Sequence, residues 1–180
     1  MSFKTVASSY VTISELMLPS HSNFSGKIHG GYILSLMDQI AFASASKYSG
    51  YYCVTASVDT VDFLNPIEIG ELVTMKASVN YTGRSSMIVG IRVESENIRT
   101  GEVKHCNSSY FTMVAKDENE KNTQVPGLII SNLDEVRRFY NCLKQIAQKK
   151  DRNLHEQKFD FTSANAIEGL KNYNVQVSFP

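Results

Sequence analysis

Several features that would point to particular kinds of protein are missing from this chain of 180 residues. It has no surplus of charge, because 18 Lys and Arg residues balance 18 Asp and Glu residues, and no block of basic residues occurs. This argues against a general binder of nucleic acid or of anionic membranes. No apolar run reaches the about 20 residues of a membrane-spanning helix, and the first residues lack the charged-then-apolar order of a secretion signal. We therefore expect a cytoplasmic protein without membrane insertion.

Cysteine is also scarce. The three cysteines, Cys53, Cys106 and Cys142, are widely and irregularly spaced, and they fit neither a disulfide framework nor a metal site. We expect three reduced thiols and no metal. What is present is ordinary for a globular protein, with 42% apolar and 20% charged residues, and the length suffices for one domain with a sizeable core.

The most informative stretch lies at 23–31, followed by an apolar run at 32–48. Between Ile33 and Ala45 this run contains a single charge, Asp38, and apolar residues fall on nearly every side of the predicted helix. Such a pattern indicates a buried helix. The adjacent glycines Gly30 and Gly31 leave the first amides of the helix unobstructed. At the positive end of the helix dipole, these amides can bind an anion or polarise a carbonyl oxygen.

The order of the predicted elements indicates an α+β fold. The helix should end near Gly50, and hairpin-type turns separate the strand patterns that follow. The predicted strands are 4–17, 53–63, 71–81, 86–96 and 102–115. One strand, a buried helix and four long strands suggest an antiparallel sheet curled around the helix. Such a sheet leaves a strand edge and part of the helix exposed, and dimerisation would cover both.

The last third of the chain has a different pattern. A polar linker at 116–123 and Pro126 divide the sequence, which predicts a first domain at 1–126 and a C-terminal extension at 127–180. The extension begins with an amphipathic helix at 132–150. A polar tail follows, in which 174–179 alternates weakly and suggests an added edge strand.

Two patterns in the first domain resemble a known family. They are N-x-x-G-x-x-H-G-G beginning at Asn23 and L-x-x-M-D-x-x-A beginning at Leu34. With the strands behind them, they resemble the acyl-CoA thioesterases of the hotdog fold, closest to the short bacterial acyl-CoA hydrolases and to single repeats of their tandem-domain animal relatives. The resemblance runs over about 12–115. It implies the hotdog fold and hydrolysis of acyl-CoA, without a cofactor because coenzyme A is part of the substrate.

Thioester hydrolysis needs a base or nucleophile and a donor to the developing oxyanion. Asp38 is the candidate for the first role, and burial in an apolar helix should raise its pKa. It could activate water or attack the thioester directly. The Gly30 amide is the candidate donor, and the resemblance implies that Asn23 positions the water or polarises the carbonyl. Simpler roles stay open: a structural hydrogen bond for Asp38, close packing for the glycine pair, and a turn for Asn23.

The spacing of these groups bears on assembly. Gly30 and Asp38 are eight residues apart, which is about 12 Å along a helix axis. One thioester cannot touch both groups of one helix, so they must come from two chains if both act. The resemblance implies the same arrangement, with Asn23 and Gly30 from one subunit and Asp38 from the other. A homodimer is therefore the expected minimal unit, assembled into a hexamer of three dimers or a tetramer.

The phosphates and amides of coenzyme A call for positive charge and hydrogen-bond donors. Gly31 lies beside the predicted oxyanion donor. Arg84, Ser85 and Ser86 form a turn where relatives have a similar segment, so Arg84 could pair with a phosphate and a serine could bond the pantetheine. An ordinary exposed hairpin arginine is the alternative. For His29 we favour a structural role over that of a base.

Two other functions are compatible with a hotdog domain. One is a non-catalytic acyl-CoA sensor, but no basic helix-turn-helix pattern precedes the domain. The other is an enoyl-CoA hydratase or dehydratase, which would rely on a histidine with an acidic partner. No such pair is recognisable opposite Asp38. A pure sensor would also have little use for the pairing of Asn23 with Asp38. Hydrolysis is therefore the preferred interpretation.

Overall fold

A computed structural model of the chain describes residues 2–158, 160 and 162–176. The strands are β1 (Phe3–Thr5), β2 (Val11–Leu16), β3 (Tyr52–Val58), β4 (Leu72–Thr82), β5 (Ser86–Asn97), β6 (Glu102–Lys116) and β7 (Gly127–Ile129). The helices are α1 (Gly30–Ser49), α2 (Leu133–Lys158) and α3 (Ala164–Gly169), with short 3-10 turns at Val6–Ser9, Pro19–His21 and Leu170–Asn172.

Five strands form one antiparallel sheet in the order β2-β4-β5-β6-β3. One face of this sheet packs on α1, and the shared core is apolar. Because side chains alternate along a strand, the residues between the core positions point to the opposite face. This arrangement confirms the predicted α+β class and the wrapping of an antiparallel sheet around a long helix.

Helix α1 ends where the sequence predicts. Gly50 follows it in the left-handed conformation, with φ of 80°, and its amide bonds the carbonyl of Ser46. Its burial is one-sided, however. Residues such as Met37 and Ile40 are fully buried, whereas Asp38 and Phe42 on the other side are exposed. The expectation of a helix buried all round was wrong for the single chain, because the sheet covers only one face of α1.

Strand β3 is shorter than predicted and stops at Val58 instead of residue 63. Within the described residues it lies at the edge of the sheet, pairs with β6 alone, and has an irregularity between Thr55 and Ser57. Beyond Val58 only separate bonds join the segment to β6, including Leu64 amide to Cys106 carbonyl at 2.9 Å. Continuous pairing ends there, and 59–66 becomes a loop that passes the beginning of α1.

The first predicted strand, 4–17, is divided in two. A 3-10 turn separates β1 from β2, and β1 pairs in parallel with β7 in a separate two-stranded sheet. Phe3 lies against Gly127, where an added Cβ would come within 2.4 Å of the ring. A side chain at 127 would therefore have to displace the ring of Phe3.

The chain forms two compact units, Met1–Cys142 and Leu143–Pro180. The predicted boundary between 126 and 127 stays a prediction. Helix α2 begins as expected, with the Asn132 side chain accepting the Glu135 amide at 2.9 Å, but it continues to Lys158 instead of 150. Neither Gly nor Pro occurs at 151–158 to stop it. Of the strand suggested at 174–179, residues 177–179 lie outside the described residues, and 174–176 do not form a strand.

The three cysteines are buried and unpaired, as the sequence predicts. Across 2–158, 160 and 162–176, no helix combines the length and the apolar character needed to span a membrane.

Candidate active site

The loop before α1 is organised by Asn23. Its side-chain oxygen accepts hydrogen bonds from the Ser25 amide at 2.9 Å, the Ser25 hydroxyl at 2.7 Å and the Lys27 amide at 3.1 Å. Its own amide bonds the Lys27 carbonyl at 2.7 Å. Asn23 therefore does form a turn, the simpler role that the sequence left open. Its NH₂ group has no partner among the residues that the structure describes, so it is still able to donate to a ligand.

Helix α1 starts with unused hydrogen-bond donors. The carbonyl of His29 accepts the amides of Tyr32 and Ile33, at 3.0 and 3.3 Å, whereas the amides of Gly30 and Gly31 have no partner within the described part of the chain. Gly30 also lies close to the ring of Phe63, where an added Cβ would be 3.2 Å from the ring. Two free amides at the positive end of a long helix form a donor pair for an oxyanion or a carbonyl oxygen.

The carboxylate of Asp38 is exposed, so the burial expected from the sequence is absent in the single chain. It accepts a hydrogen bond from the hydroxyl of Thr55 on β3 at 2.6 Å. The same hydroxyl lies 3.5 Å from the sulfur of the buried Met113 on β6. Thr55 therefore connects the carboxylate on α1 to the sheet and restricts its orientation.

On the exposed side of α1, apolar side chains lie one turn before and one turn after Asp38, among polar ones. Phe42, one turn further along, is 39% exposed, and Tyr52 on the edge strand β3 is 65% exposed. Their rings contact each other edge to face, with centroids 5.5 Å apart. Leu34, one turn before Asp38, is only partly buried. Exposed aromatic rings that pack on each other beside a carboxylate are a feature of a surface that another molecule covers.

The predicted oxyanion donor and the predicted base are not brought together within one chain. Gly30 and Asp38 lie on the same continuous helix, separated by about 12 Å along its axis. The structure thus reproduces the separation on which the expectation of two-chain sites depends.

The turn between β4 and β5 holds the residues predicted to bind coenzyme A. Arg84 is exposed, and the carbonyls of Arg84 and Ser85 accept the amides of Val125 and Ala115, at 3.0 and 2.9 Å. Ser86 begins β5 opposite Val114 of β6, which itself faces Val54 on β3, next to Thr55. The turn therefore lies at the same end of the sheet as Thr55, two strands away, or about 10 Å.

Two of the histidines have structural partners. His21 stacks on Tyr32 with ring centroids 4.0 Å apart, and His105 bonds the Ser108 hydroxyl at 2.9 Å. His29 is exposed and precedes the helix without capping it. No group of His, Cys, Asp and Glu in the described residues could hold a metal ion.

Lys104 on β6 forms an ion pair with the buried Glu71, with a contact of 2.8 Å. Burial would raise the pKa of Glu71, but hydrogen bonds from the Glu68 amide, Lys104 and Ser95 outweigh it and hold this pKa below its ordinary value.

Thr55 is the site residue that sequence reasoning missed. Nothing in a strand pattern distinguishes this threonine from its neighbours, because its contact with Asp38 depends on how α1 crosses β3. A search for hydroxyl residues on the strand that follows the helix would have included it without singling it out.

Comparison with known proteins identifies the family. Residues 25–102 match the Thioesterase superfamily. The chain is 44% identical over 133 residues to protein VdlD of Helicobacter pylori, covering 74% of this chain and 76% of that protein. It is 33% identical over 149 residues to the uncharacterized acyl-CoA thioester hydrolase YkhA of Bacillus subtilis, covering 83% and 87% of the two chains. The chain belongs to the acyl-CoA thioesterases.

Solved structures agree with this assignment of the chain to the hotdog acyl-CoA thioesterases. An apo-hexameric acyl-CoA thioesterase superposes with a TM-score of 0.83 at 35% identity, covering 85% of this chain and 98% of that one. An acyl-CoA hydrolase of Staphylococcus aureus, in complex with butyryl coenzyme A, coenzyme A and coenzyme A disulfide, superposes with a TM-score of 0.79 at 28% identity. That match covers 94% of this thioesterase and 99% of the staphylococcal chain.

Proposed function

We propose that the chain hydrolyses acyl-CoA to the free acid and coenzyme A, at sites shared between two copies of the chain. One observation carries the proposal: the free amides of Gly30 and Gly31 and the exposed carboxylate of Asp38 lie on one helix, too far apart to serve one substrate. Family membership supplies the reaction class, and this geometry supports the division of the site.

The shared site follows from the exposed face of α1. If the α1 helices of two copies pack antiparallel through the face of Asp38 and Phe42, the first turn of each helix approaches the middle of the other. In the part of the chain that the structure describes, strand β3 pairs only with β6, so its other edge is free beside this face. Pairing of two such edges would join the sheets and remove an exposed strand edge. A symmetric dimer would contain two equivalent sites.

In this site the Gly30 amide donates to the thioester carbonyl oxygen, and Asn23 of the same subunit orients the carbonyl or the water through its free NH₂ group. Asp38 of the other subunit acts in one of two ways. As a base it takes a proton from water while the water oxygen attacks the carbonyl carbon. As a nucleophile it attacks that carbon itself, giving a mixed anhydride that water then hydrolyses. In both cases the carbon–sulfur bond breaks and the coenzyme A sulfur gains a proton.

Solved variants of the staphylococcal enzyme support this choice of residues. They carry alanine in place of an asparagine, of an aspartate fifteen residues later and of a threonine a further seventeen residues on. In this chain Asn23, Asp38 and Thr55 have the same spacing. We therefore assign Thr55 to the site as the residue that positions the Asp38 carboxylate through its 2.6 Å hydrogen bond.

Coenzyme A needs a second set of contacts. We assign its phosphate to Arg84, its pantetheine to Ser85 or Ser86, and a further donor contact to the Gly31 amide. Arg84 is exposed and therefore accessible to a ligand. No resident cofactor enters the reaction. By analogy with the hexameric relative, three dimers would assemble into a hexamer.

Thiol release from a panel of acyl-CoA esters tests the proposal. Asp38→Asn should lower kcat by about a hundredfold or more, the usual contribution of a catalytic acid or base. Asp151→Asn, which removes the same charge from an exposed site on α2, is the matched control and should leave kcat unchanged. Binding without turnover by the unmodified chain would instead identify a sensor, and addition of water to an enoyl-CoA would identify a hydratase. Unchanged hydrolysis by Asp38→Asn would contradict the role of Asp38.

A further inference from the structure

The loop at 22–28, which carries Asn23, is closed at its base. The His29 amide donates to the His21 carbonyl at 2.8 Å, so the residues before and after the loop are bonded to each other. Gly30, the first residue of α1, follows His29 directly. The angle between the loop and α1 therefore determines where the Asn23 NH₂ group lies relative to the Gly30 amide.

Tyr32, in the first turn of α1, connects the helix to the base of this loop. Its ring stacks on the ring of His21, with centroids 4.0 Å apart and an angle of 21° between the planes. Its amide bonds the carbonyl of His29 at 3.0 Å. Tyr32 thus contacts one end of the loop through its side chain and the other end through its backbone.

Polar contacts hold both rings of the stack. The Tyr32 hydroxyl donates to the carboxylate of Glu15 on β2. This hydrogen bond, together with burial and the charge of Glu15, raises the pKa of Tyr32 above its ordinary value, so the phenol keeps its proton at neutral pH. On the other ring, Nδ1 of His21 accepts the Leu18 amide at 3.3 Å. Rotation of either ring would break one of these bonds.

The far side of the loop is attached to a different part of the chain. The Ile28 amide bonds the Ile67 carbonyl at 2.9 Å, and Lys27 forms an ion pair with Glu68. Neither contact involves α1. The stack of Tyr32 on His21 therefore supplies a connection between the loop and the helix that these contacts do not.

We propose that Tyr32 is a positioning residue for the half of the active site that Asn23 and Gly30 form. This inference rests on the proposed function and adds a residue to it. Through its stack on His21, Tyr32 holds the loop at the angle at which the Asn23 NH₂ group and the Gly30 amide reach the same thioester. Donors of this kind act by being placed in advance, and a displacement of about 1 Å can slow a reaction by up to about a hundredfold. Loss of the stack should therefore slow the chemical step more than it weakens substrate binding.

Steady-state thiol release by Tyr32→Leu and Tyr32→Phe tests the proposal. Tyr32→Leu removes the stack, so kcat should fall by about tenfold, the upper end of what one aromatic pair contributes, with little change in KM. Tyr32→Phe keeps the ring and should retain most of kcat. Tyr140→Leu, the same substitution at an exposed site on α2, is the matched control and should leave kcat unchanged.

A double variant shows whether Tyr32 acts through His21. His21→Ala should lower kcat as Tyr32→Leu does, and the two substitutions together should cost no more than either alone, because the stack is already absent. Circular dichroism establishes that the variants are folded. Two results would overturn the proposal: an unchanged kcat in Tyr32→Leu, or losses that multiply in the double variant.

A mixture of Tyr32→Leu and Asp38→Ala chains shows which half of the site Tyr32 serves. After exchange, one site of each heterodimer combines the intact Asn23 half of one chain with the intact Asp38 of the other. The mixture should reach about one quarter of the unmodified activity, against about one twentieth if Tyr32 acts on Asp38 of its own chain. The lower value would refute the assignment.

The outcome for Tyr32 is separable from that for the reaction itself. Unchanged thiol release by Asp38→Asn would contradict the proposed catalytic role of Asp38. A loss of thiol release in Asp38→Asn, combined with an unchanged kcat in Tyr32→Leu, would remove the positioning role and leave the proposed hydrolysis in place.

Discussion

Mixing two inactive variants gives the sharpest test of sites shared between chains. A group that acts on a thioester must come within about 3 Å of it, whereas Gly30 and Asp38 of one helix are separated by about 12 Å. If Asn23 and Gly30 of one subunit form a site with Asp38 of the partner, either substitution, Asn23→Ala or Asp38→Ala, inactivates both sites of a homodimer. In a heterodimer, however, one site receives both substitutions and the other receives neither.

The size of the recovery follows from this count. Free exchange of equal amounts gives heterodimers as half of all dimers, and each has one intact site of two. The mixture should therefore regain about one quarter of the unmodified activity. Thiol release is measured before and after mild unfolding and refolding of the mixture, and mass spectrometry verifies the exchange. If activity stays at the level of the separate variants after verified exchange, the site lies within one chain and the reasoning fails.

Two further predictions follow from contacts within the chain. Thr55→Val removes the 2.6 Å hydrogen bond to Asp38, so kcat should fall by about tenfold with KM unchanged, while Thr55→Ser retains most of the activity. Equal changes in kcat and KM in steady-state thiol release would argue against a positioning role. Burial raises the pKa of Tyr48 to about 12, despite the opposing hydrogen bond at the Lys4 backbone. Because the unfolded chain loses this proton near pH 10, stability present below pH 10 should be lost as the pH rises towards 12, and urea unfolding of Tyr48→Phe should lack this component.

Much of the fold could be predicted because its signals are local. Alternation along the strands, glycine and hairpin turns, and Gly50 after the helix each depend on neighbouring residues. The errors occurred where contacts between residues far apart in the sequence determine the structure. Strand β3 ends at Val58 because its pairing with β6, its one partner among the described residues, becomes discontinuous there. No local pattern near residue 63 predicts this end.

The candidate site, like the fold, was predictable where its features depend on neighbouring residues and not where they depend on distant contacts. The free amides of Gly30 and Gly31 follow from their position at the start of a helix, and the sequence predicts them. The contact of Asp38 with Thr55 depends on how α1 crosses the sheet, and a one-dimensional pattern cannot contain it.

The burial of α1 on one side only differs from the sequence prediction, and this difference has a physical explanation. Apolar residues all round a helix predict burial on every side, yet the single chain leaves Phe42 39% exposed beside the exposed Asp38. Exposed apolar surface beside a free strand edge is unfavourable in water, and a second copy of the chain would cover both. On this interpretation the pattern describes the helix as it exists in the assembly. The contact that removes this apolar face from water would then be the same contact that brings Asp38 to the amides of another chain, so stability and activity would depend on one interface.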